Sequence, residues 1–376
     1  MRGLNNKLIR NYHTVAAIIL MSLISVILII CVKGKHYSDS PVSKEGFYFD
    51  TVISITIYDT KENYGGYINS YNEITRLLDE CMDICEKYQY IFSRTDEKSE
   101  LYKLNHTEEY LTGKEVRISD ELSELIRETL KYSEVFGDRF SIFSGNLCDL
   151  WNYENRIIPE DEQIQSVLEN MKNHQYTLSG DKISVIYNSP DSTDKYEKTI
   201  HAPEINLGAS AKGYIADRLG EFLKSKGVKE AIINLGGNVL VIGDKYDNSM
   251  YTIGIRKPFS DSSDIFAKCK VADKSIVTSG IYERYFKQDG TIYHHIIDCT
   301  TGYPADNGIL SVTVICDSSL VADCYTTGCL LYSADDILKF INEDTKHNIE
   351  CIIIDKDYNI ILSDGLTYDG EYIVLK

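Results

Sequence analysis

The sequence predicts an α+β fold, with mixed β-sheets packed against helices in one large domain behind a single N-terminal transmembrane helix. Three observations carry that reading. Period-2 runs such as Thr51-Val52-Ile53-Ser54-Ile55-Thr56-Ile57 alternate the way a half-buried strand does. Period-3.6 runs such as Ile74, Leu77, Leu78, Cys81, Ile84 and Cys85 mark amphipathic helices. The two kinds of run are interleaved without a strict strand–helix–strand rhythm, which favours α+β over a doubly wound parallel sheet.

Residues 1–13 form a basic leader to the apolar run 14–32, TVAAIILMSLISVILIICV, whose only polar side chains are Thr14, Ser22 and Ser25. Nineteen helical residues span about 28 Å, close to the hydrocarbon thickness of a bilayer. Basic residues before the run point to a membrane anchor or signal segment with its N-terminus inside and the body outside the cytoplasm. An uncleaved anchor is the preferred reading. The alternative is a lipoprotein attached at Cys31, although Ile30 is larger than the residue normally found before a lipidated cysteine. Residues 33–45 read as a polar tether and 46–376 as the folded domain.

Strand 51–57 comes first, then helices over 71–90 and 120–136, with Gly137 as a C-cap. Residues 152–200 are polar and read as peripheral. The segment KTIHAPEINLG leads as a strand into a helix marked by Ile215, Leu219, Phe222 and Leu223 and stopped at Gly227. AIINLGGNVLVIG follows as strand, turn and strand. Further strands lead to a helix at 319–332, and IECIIIDKDYNIILSDG closes as a hairpin.

The 376 residues are 43% hydrophobic and 26% charged, an ordinary globular composition, and the net charge is −18. The acid lies entirely beyond residue 38, because residues 1–38 hold Arg2, Lys7, Arg10, Lys33 and Lys35 and no Asp or Glu. Such a body excludes nucleic-acid binding through phosphates, which needs a basic face. Beyond Cys31 there are nine cysteines and no CxxC spacing, so neither a zinc site nor a disulfide framework is indicated, and most read as small buried apolar residues.

Four segments carry candidate chemistry. In Leu207-Gly208-Ala209-Ser210-Ala211-Lys212-Gly213, small residues at a helix start let backbone amides approach an anion, and Lys212 adds a charge; a tight turn with an exposed lysine explains the same residues. Asn234-Leu235-Gly236-Gly237-Asn238 allows close ligand approach, or is a plain hairpin turn. In Tyr293-His294-His295-Ile296-Ile297-Asp298, strand alternation sends the two imidazoles to opposite faces, so one is free to act as a base; a surface histidine pair is the alternative. In Asp323-Cys324-Tyr325-Thr326-Thr327, the carboxylate and the Thr327 hydroxyl are i,i+4 on one helix face, a pair of hard oxygen donors suited to Mg²⁺, or an ordinary Asp and Thr.

The order of these segments is more specific than any one of them. FDTVISITIYD, SRTDEKSELYKLN, GDRFSIFSGNLCDLW, NLGASAKGYIADRL, INLGGNVLVIG, GIRKP, TSGIYERYF, HHIIDCTTGYPA and VADCYTT together resemble the FAD:protein FMN transferase family, also called the ApbE family, over about residues 46–365. The resemblance implies a Mg²⁺-dependent enzyme that takes FAD as substrate. Such an enzyme attaches FMN through a phosphoester bond to a Ser or Thr of an acceptor flavoprotein, often a redox-pump subunit, and releases AMP. It implies His295 as catalytic base and Ala209, Asp323 and Thr327 as metal ligands. Ser93, Glu100, Lys212, Gly236, Gly237, Arg256, Ser279, Gly280, His295 and Asp298 are the implied FAD-site residues. Three departures stand out: Thr95 where many relatives have Tyr, Ser141 in place of an Asp after Phe140, and Cys299 where Pro is usual. The first two bear on FAD contacts and the third on a turn. The competing readings are an FAD pyrophosphatase with water as nucleophile and an extracytoplasmic flavin-binding protein without chemistry.

Overall fold

The computed structural model describes residues 41–59, 71–187, 202–260 and 264–376. The apolar run 14–32, its basic flanks and Cys31 lie outside the described residues. Among those described, no helix is long and apolar enough to cross a membrane.

In chain order, β1 (Val42–Tyr48) and β2 (Thr51–Ile57) form a hairpin, followed by α1 (Tyr71–Phe92), α2 (Glu100–His106), α3 (Glu108–Leu111), β3 (Val116–Arg117) and α4 (Asp120–Phe136). Next come α5 (Gly145–Leu150), α6 (Asp161–Lys172), β4 (His174–Ser179), β5 (Lys182–Tyr187), α7 (Ala211–Ser225), β6 (Ala231–Leu235), β7 (Asn238–Ile242), β8 (Tyr251–Arg256) and β9 (Ile265–Val271). The rest is β10 (Ser275–Gly280), β11 (Tyr285–Gln288), β12 (Thr291–His294), β13 (Ile309–Cys316), α8 (Ser319–Cys329), α9 (Ala334–Glu343), β14 (Glu350–Asp355), β15 (Ile360–Leu362), β16 (Leu366–Tyr368) and β17 (Ile373–Leu375).

The frame is an eight-stranded sheet in the order β1-β2-β6-β7-β10-β13-β14-β15, antiparallel throughout. Both faces are covered, which is why β13 is buried along its whole length. On one face Ile53, Ile55, Ile233 and Leu235 meet the apolar stripes of α1 and α7, and Val312, Val314 and Ile353 meet those of α8 and α9. On the other face Val241, Ile276, Ile315, Ile352 and Ile354 pack against a second sheet, β16-β17-β9-β8, through Tyr251, Cys269, Val271 and Ile373. That second sheet is mixed, because β17 pairs parallel with β9.

Several sequence readings change at this point. The tether expected to run to residue 45 ends earlier, since β1 starts at Val42; Lys44 and Gly46 on its inward side hide the apolar alternation. The expected strand before α7 is absent from the described part of that segment: Ala202–Leu207 joins no sheet. It is pinned by the Asn105 side chain, which donates to Ile205 O at 2.9 Å and accepts from Ile205 N at 3.0 Å. Residues 152–200 are not wholly peripheral, because Ile164 and Leu168 of α6 are buried against Leu147 and Trp151. The nine cysteines at 81 and beyond are all free, and all but Cys148 are buried.

Candidate active site

The functional segments converge on one cavity of about 1340 Å³. Loops, element ends and the interiors of β8, β10 and α8 all contribute to its wall. The β1–β2 turn contributes Phe49, Asp50 and Thr51, the loop after α1 contributes Ser93 to Asp96, and the start of α7 contributes Gly208, Ala209, Ala211 and Lys212. The β6–β7 turn adds Gly236 and Gly237, the end of β8 adds Arg256, the end of β10 adds Ser279, and α8 adds Asp323 and Thr327. Gly236 and Gly237 have φ of +64° and +96°, the two positive values of a two-residue hairpin turn. A side chain at Gly236 would stand 2.3 Å from Thr51 Oγ1, so the bare turn is what lets the two hairpins meet at the cavity wall.

The histidine pair divides its roles as strand alternation implies. His294 is buried, its Nε2 is 2.8 Å from Ala305 O, and its Nδ1 accepts from Ile296 N–H at 3.3 Å. Those partners fix a neutral, structural tautomer. His295 lines the cavity, and its Nδ1 is buried without a hydrogen-bond partner. Burial, then the neighbouring His294, Arg284 and Lys212, push its pKa down from the ordinary 6.5 to about 3, so the free imidazole is neutral.

Helices α7 and α8 cap each other. Asp217 on α7 accepts from Ser319 N–H and Leu320 N–H of α8 at 2.7 and 3.0 Å, and from Ser318 Oγ at 2.7 Å. Asp323 on α8 accepts from Gly213 N–H of α7 at 2.8 Å. Both carboxylates thereby satisfy helix N-terminal donors, where negative charge is favoured. Burial pushes the Asp323 pKa up, and Lys212, the Gly213 amide and the Asn238 side chain act in the opposite direction. Glu283, also on the cavity wall, is likewise raised by desolvation against the pull of Lys212 and Arg256.

Ala209, Asp323 and Thr327 offer only oxygen ligands, and the cavity holds all three. Among the described residues there is no cluster of three or more His, Cys, Asp or Glu side chains able to hold a metal. That donor set fits Mg²⁺, which keeps water and substrate phosphate oxygens and needs few protein carboxylates.

Of the residues the sequence resemblance named for the FAD site, Ser93, Lys212, Arg256 and Ser279 also line the cavity. Three implied residues are not among its lining. Glu100 accepts from Ser119 N–H and Oγ, both at 2.6 Å, and so ties α2 to the start of α4. Asp298 accepts from Thr300 N–H and Oγ1 at 2.8 and 2.6 Å and holds the turn before Pro304. Gly280 makes room for the Tyr282 ring, which a side chain there would meet at 2.4 Å. Of the departures, Thr95 and Ser141 do line the cavity, as does Cys299.

Sequence reasoning missed Asp50, Arg94, Arg139, Trp151 and Glu283, which also line the cavity. Each sits in a loop or at an element end with no local spacing signal. Arg94 is held by Asp149 at 2.6 Å and Glu204 at 3.0 Å, a contact spanning 110 residues that no local pattern announces.

The model of the ApbE family matches residues 49–353. The FAD:protein FMN transferase of Klebsiella pneumoniae (strain 342) is 32% identical over 78% of this chain and 86% of its own length. That of Treponema pallidum (strain Nichols) is 27% identical over 78% and 81%. The crystal structure of the ApbE protein of Thermotoga maritima superposes with a TM-score of 0.71 at 27% identity, covering 86% of this chain and 97% of that one. The flavin transferase ApbE of Vibrio cholerae has the same fold, with a TM-score of 0.68 at 23% identity over 86% and 97%. With the cavity, its helix-end donors and the matched residues in agreement, the chain belongs to the ApbE family.

Proposed function

We propose that this chain is a Mg²⁺-dependent FAD:protein FMN transferase that attaches FMN through a phosphoester bond to a Ser or Thr of an acceptor flavoprotein and releases AMP. The observation that carries the reading is the convergence of His295, Lys212, the α7 start and the Asp323–Thr327 pair on one cavity. Its volume exceeds the roughly 300–1,000 Å³ of common small-ligand pockets, which suits an extended dinucleotide.

Transfer forms a bond from the acceptor hydroxyl oxygen to the FMN-side phosphorus and breaks the bridging bond to AMP. The hydroxyl proton passes to His295, whose imidazole is in its base form in the free protein. Burial first, then His294, Arg284 and Lys212, keep it weakly basic. A pyrophosphate bound against Arg284 and Lys212 offsets their charge and so removes the part of the depression that those two cations contribute. Lys212 and the amides of the α7 start orient the diphosphate. Ala209, Asp323 and Thr327 would hold Mg²⁺, which supplies charge neutralisation on the phosphoryl oxygens and the leaving group.

We further propose that residues 14–32 anchor the domain on the outer side of the cytoplasmic membrane, where an acceptor such as a redox-pump subunit is within reach.

The test uses the full-length chain with FAD, Mg²⁺ and an extracytoplasmic flavoprotein of the same source as acceptor. A fluorescent acceptor band on a denaturing gel, with matching AMP and both lost in Asp323→Ala, is the expected result. AMP without a labelled band points to FAD hydrolysis. Neither product, with FAD bound, leaves flavin binding without chemistry.

A further inference from the structure

Strands β11 and β12 form a two-stranded ribbon that joins no other sheet. Its turn, Asp289-Gly290, has φ of +50° and +84°, so Gln288 and Thr291 close a tight hairpin as a hydrogen-bonded pair. Hydrogen-bonded and non-hydrogen-bonded pairs alternate from there. Phe286 bonds inward to Tyr293. The next inward rung is His295 N–H, which donates to Arg284 O at 3.1 Å, and both of those residues line the main cavity. The main-chain groups of Tyr285 and Lys287 on β11, and of Ile292 and His294 on β12, therefore point outward.

The two outer edges differ. On β12, Tyr153 Oη donates to His294 O at 3.2 Å. On β11, the outward N–H and C=O groups of Tyr285 and Lys287 have no hydrogen-bond partner among the described residues. A second groove, of about 510 Å³, lies against β11 and is lined by Tyr153, Glu154, Arg156, Tyr285, Phe286 and Lys287. Tyr153 lines the main cavity as well, so the groove and the cavity share a wall.

We propose that the outer edge of β11 docks the acceptor protein: an extended acceptor segment adds to the ribbon as a third strand and carries its Ser or Thr hydroxyl past Arg284 to His295. The inference rests on the reading of the chain as an FMN transferase. Main-chain hydrogen bonds to Tyr285 and Lys287 supply the affinity, as they do wherever a peptide extends an open sheet edge. A strand advances about 3.3 Å per residue, so the segment reaches the cavity wall within two or three residues of its pairing with Tyr285. Arg156 and Lys287 outnumber Glu154, which makes the groove net positive and suits a segment with an acidic side chain. Copies of this chain carry −18 each and repel one another, which works against a second copy as the occupant.

The experiment follows transfer by the full-length chain, with FAD and Mg²⁺, over a range of concentrations of an extracytoplasmic flavoprotein of the same source. Lys287→Pro removes one outward N–H and breaks no bond to β12, and proline is tolerated on the open side of an edge strand. The acceptor KM is expected to rise about 10-fold, the order of one lost main-chain hydrogen bond, with kcat and FAD affinity near the parent values. Lys287→Ala keeps the N–H and should show a smaller rise. In the parent, hydrogen exchange at the Tyr285 and Lys287 amides should slow when the acceptor is added. A parental acceptor KM in a folded Lys287→Pro overturns the proposal. So do equal rises in the proline and alanine variants, which mark a contact of the lysine charge alone. If Lys287→Pro does not fold, unprotected Tyr285 and Lys287 amides at saturating acceptor overturn it. Protection that needs no acceptor and grows with enzyme concentration assigns the edge to a second copy, and also overturns it. Where the parent labels the acceptor and these tests fail, only the docking inference falls. An acceptor left unlabelled by the parent removes the transferase reading and the docking inference with it.

Discussion

The backbone N–H of Gly213 donates to the Asp323 carboxylate across the interface of α7 and α8, and at that point the two helices touch backbone to backbone. A Cβ on Gly213 would lie 2.3 Å from Ser319 O and 2.7 Å from Leu320 Cα. The helix proposed to offer its N-terminus to the diphosphate is thereby fixed to the helix that carries Asp323 and Thr327. Gly213→Ala is expected to force them apart and cost about 1–3 kcal/mol, as overpacked interiors do. A lowered melting temperature together with weaker Mn²⁺ binding is the expected outcome, and parental values in both measurements would show that the helices have slack.

His295→Asn should keep FAD binding and abolish transfer. The substitution leaves a polar side chain on the cavity wall but removes the imidazole nitrogen proposed to take the proton. Flavin fluorescence quenching would report binding, and in-gel fluorescence of the acceptor would report transfer. Equal labelling rates in variant and parent would take His295 out of the mechanism.

The depressed pKa of His295 has a stability consequence with a definite sign. Its folded value is about 3 and its ordinary value 6.5, so between those limits the unfolded chain binds the proton and the folded chain does not. The stability contribution is whole above pH 6.5 and is lost as the pH falls toward 3. Thermal melts from pH 7 downward should show a shallower decline in His295→Asn than in the parent. Parallel declines would mean that the imidazole protonates freely in the folded state.

Gly236→Ala tests the joint between the two hairpins. At φ +64° and 2.3 Å from Thr51 Oγ1, the added methyl group meets both backbone strain and a clash. Strained positions of this kind cost of order 1–3 kcal/mol. The expected result is a lower melting temperature and a higher FAD dissociation constant, because Thr51 and Gly236 share the cavity wall. A stability loss with unchanged FAD affinity would separate the turn from the binding site.

The sequence by itself determined several elements and their buried faces. Ile53, Ile55 and Ile57 alternate inward, Leu77, Leu78 and Cys81 recur at helical spacing, and Asp323 and Thr327 stand one turn apart, because these periods are properties of the local backbone. The ordered motifs also pointed to the family and to His295 over His294. What only the tertiary structure decided is which loops and element ends share a wall. Arg94 with Glu204, Asp217 with Ser319, and Asn238 with Ser319 are joined across 81 to 110 residues of chain. Packing likewise gave Glu100 to Ser119, 19 residues along the chain, and not to the cavity lining. A period can be read from neighbours in the chain; a partner is set by how the sheets and helices pack, and no local pattern encodes that.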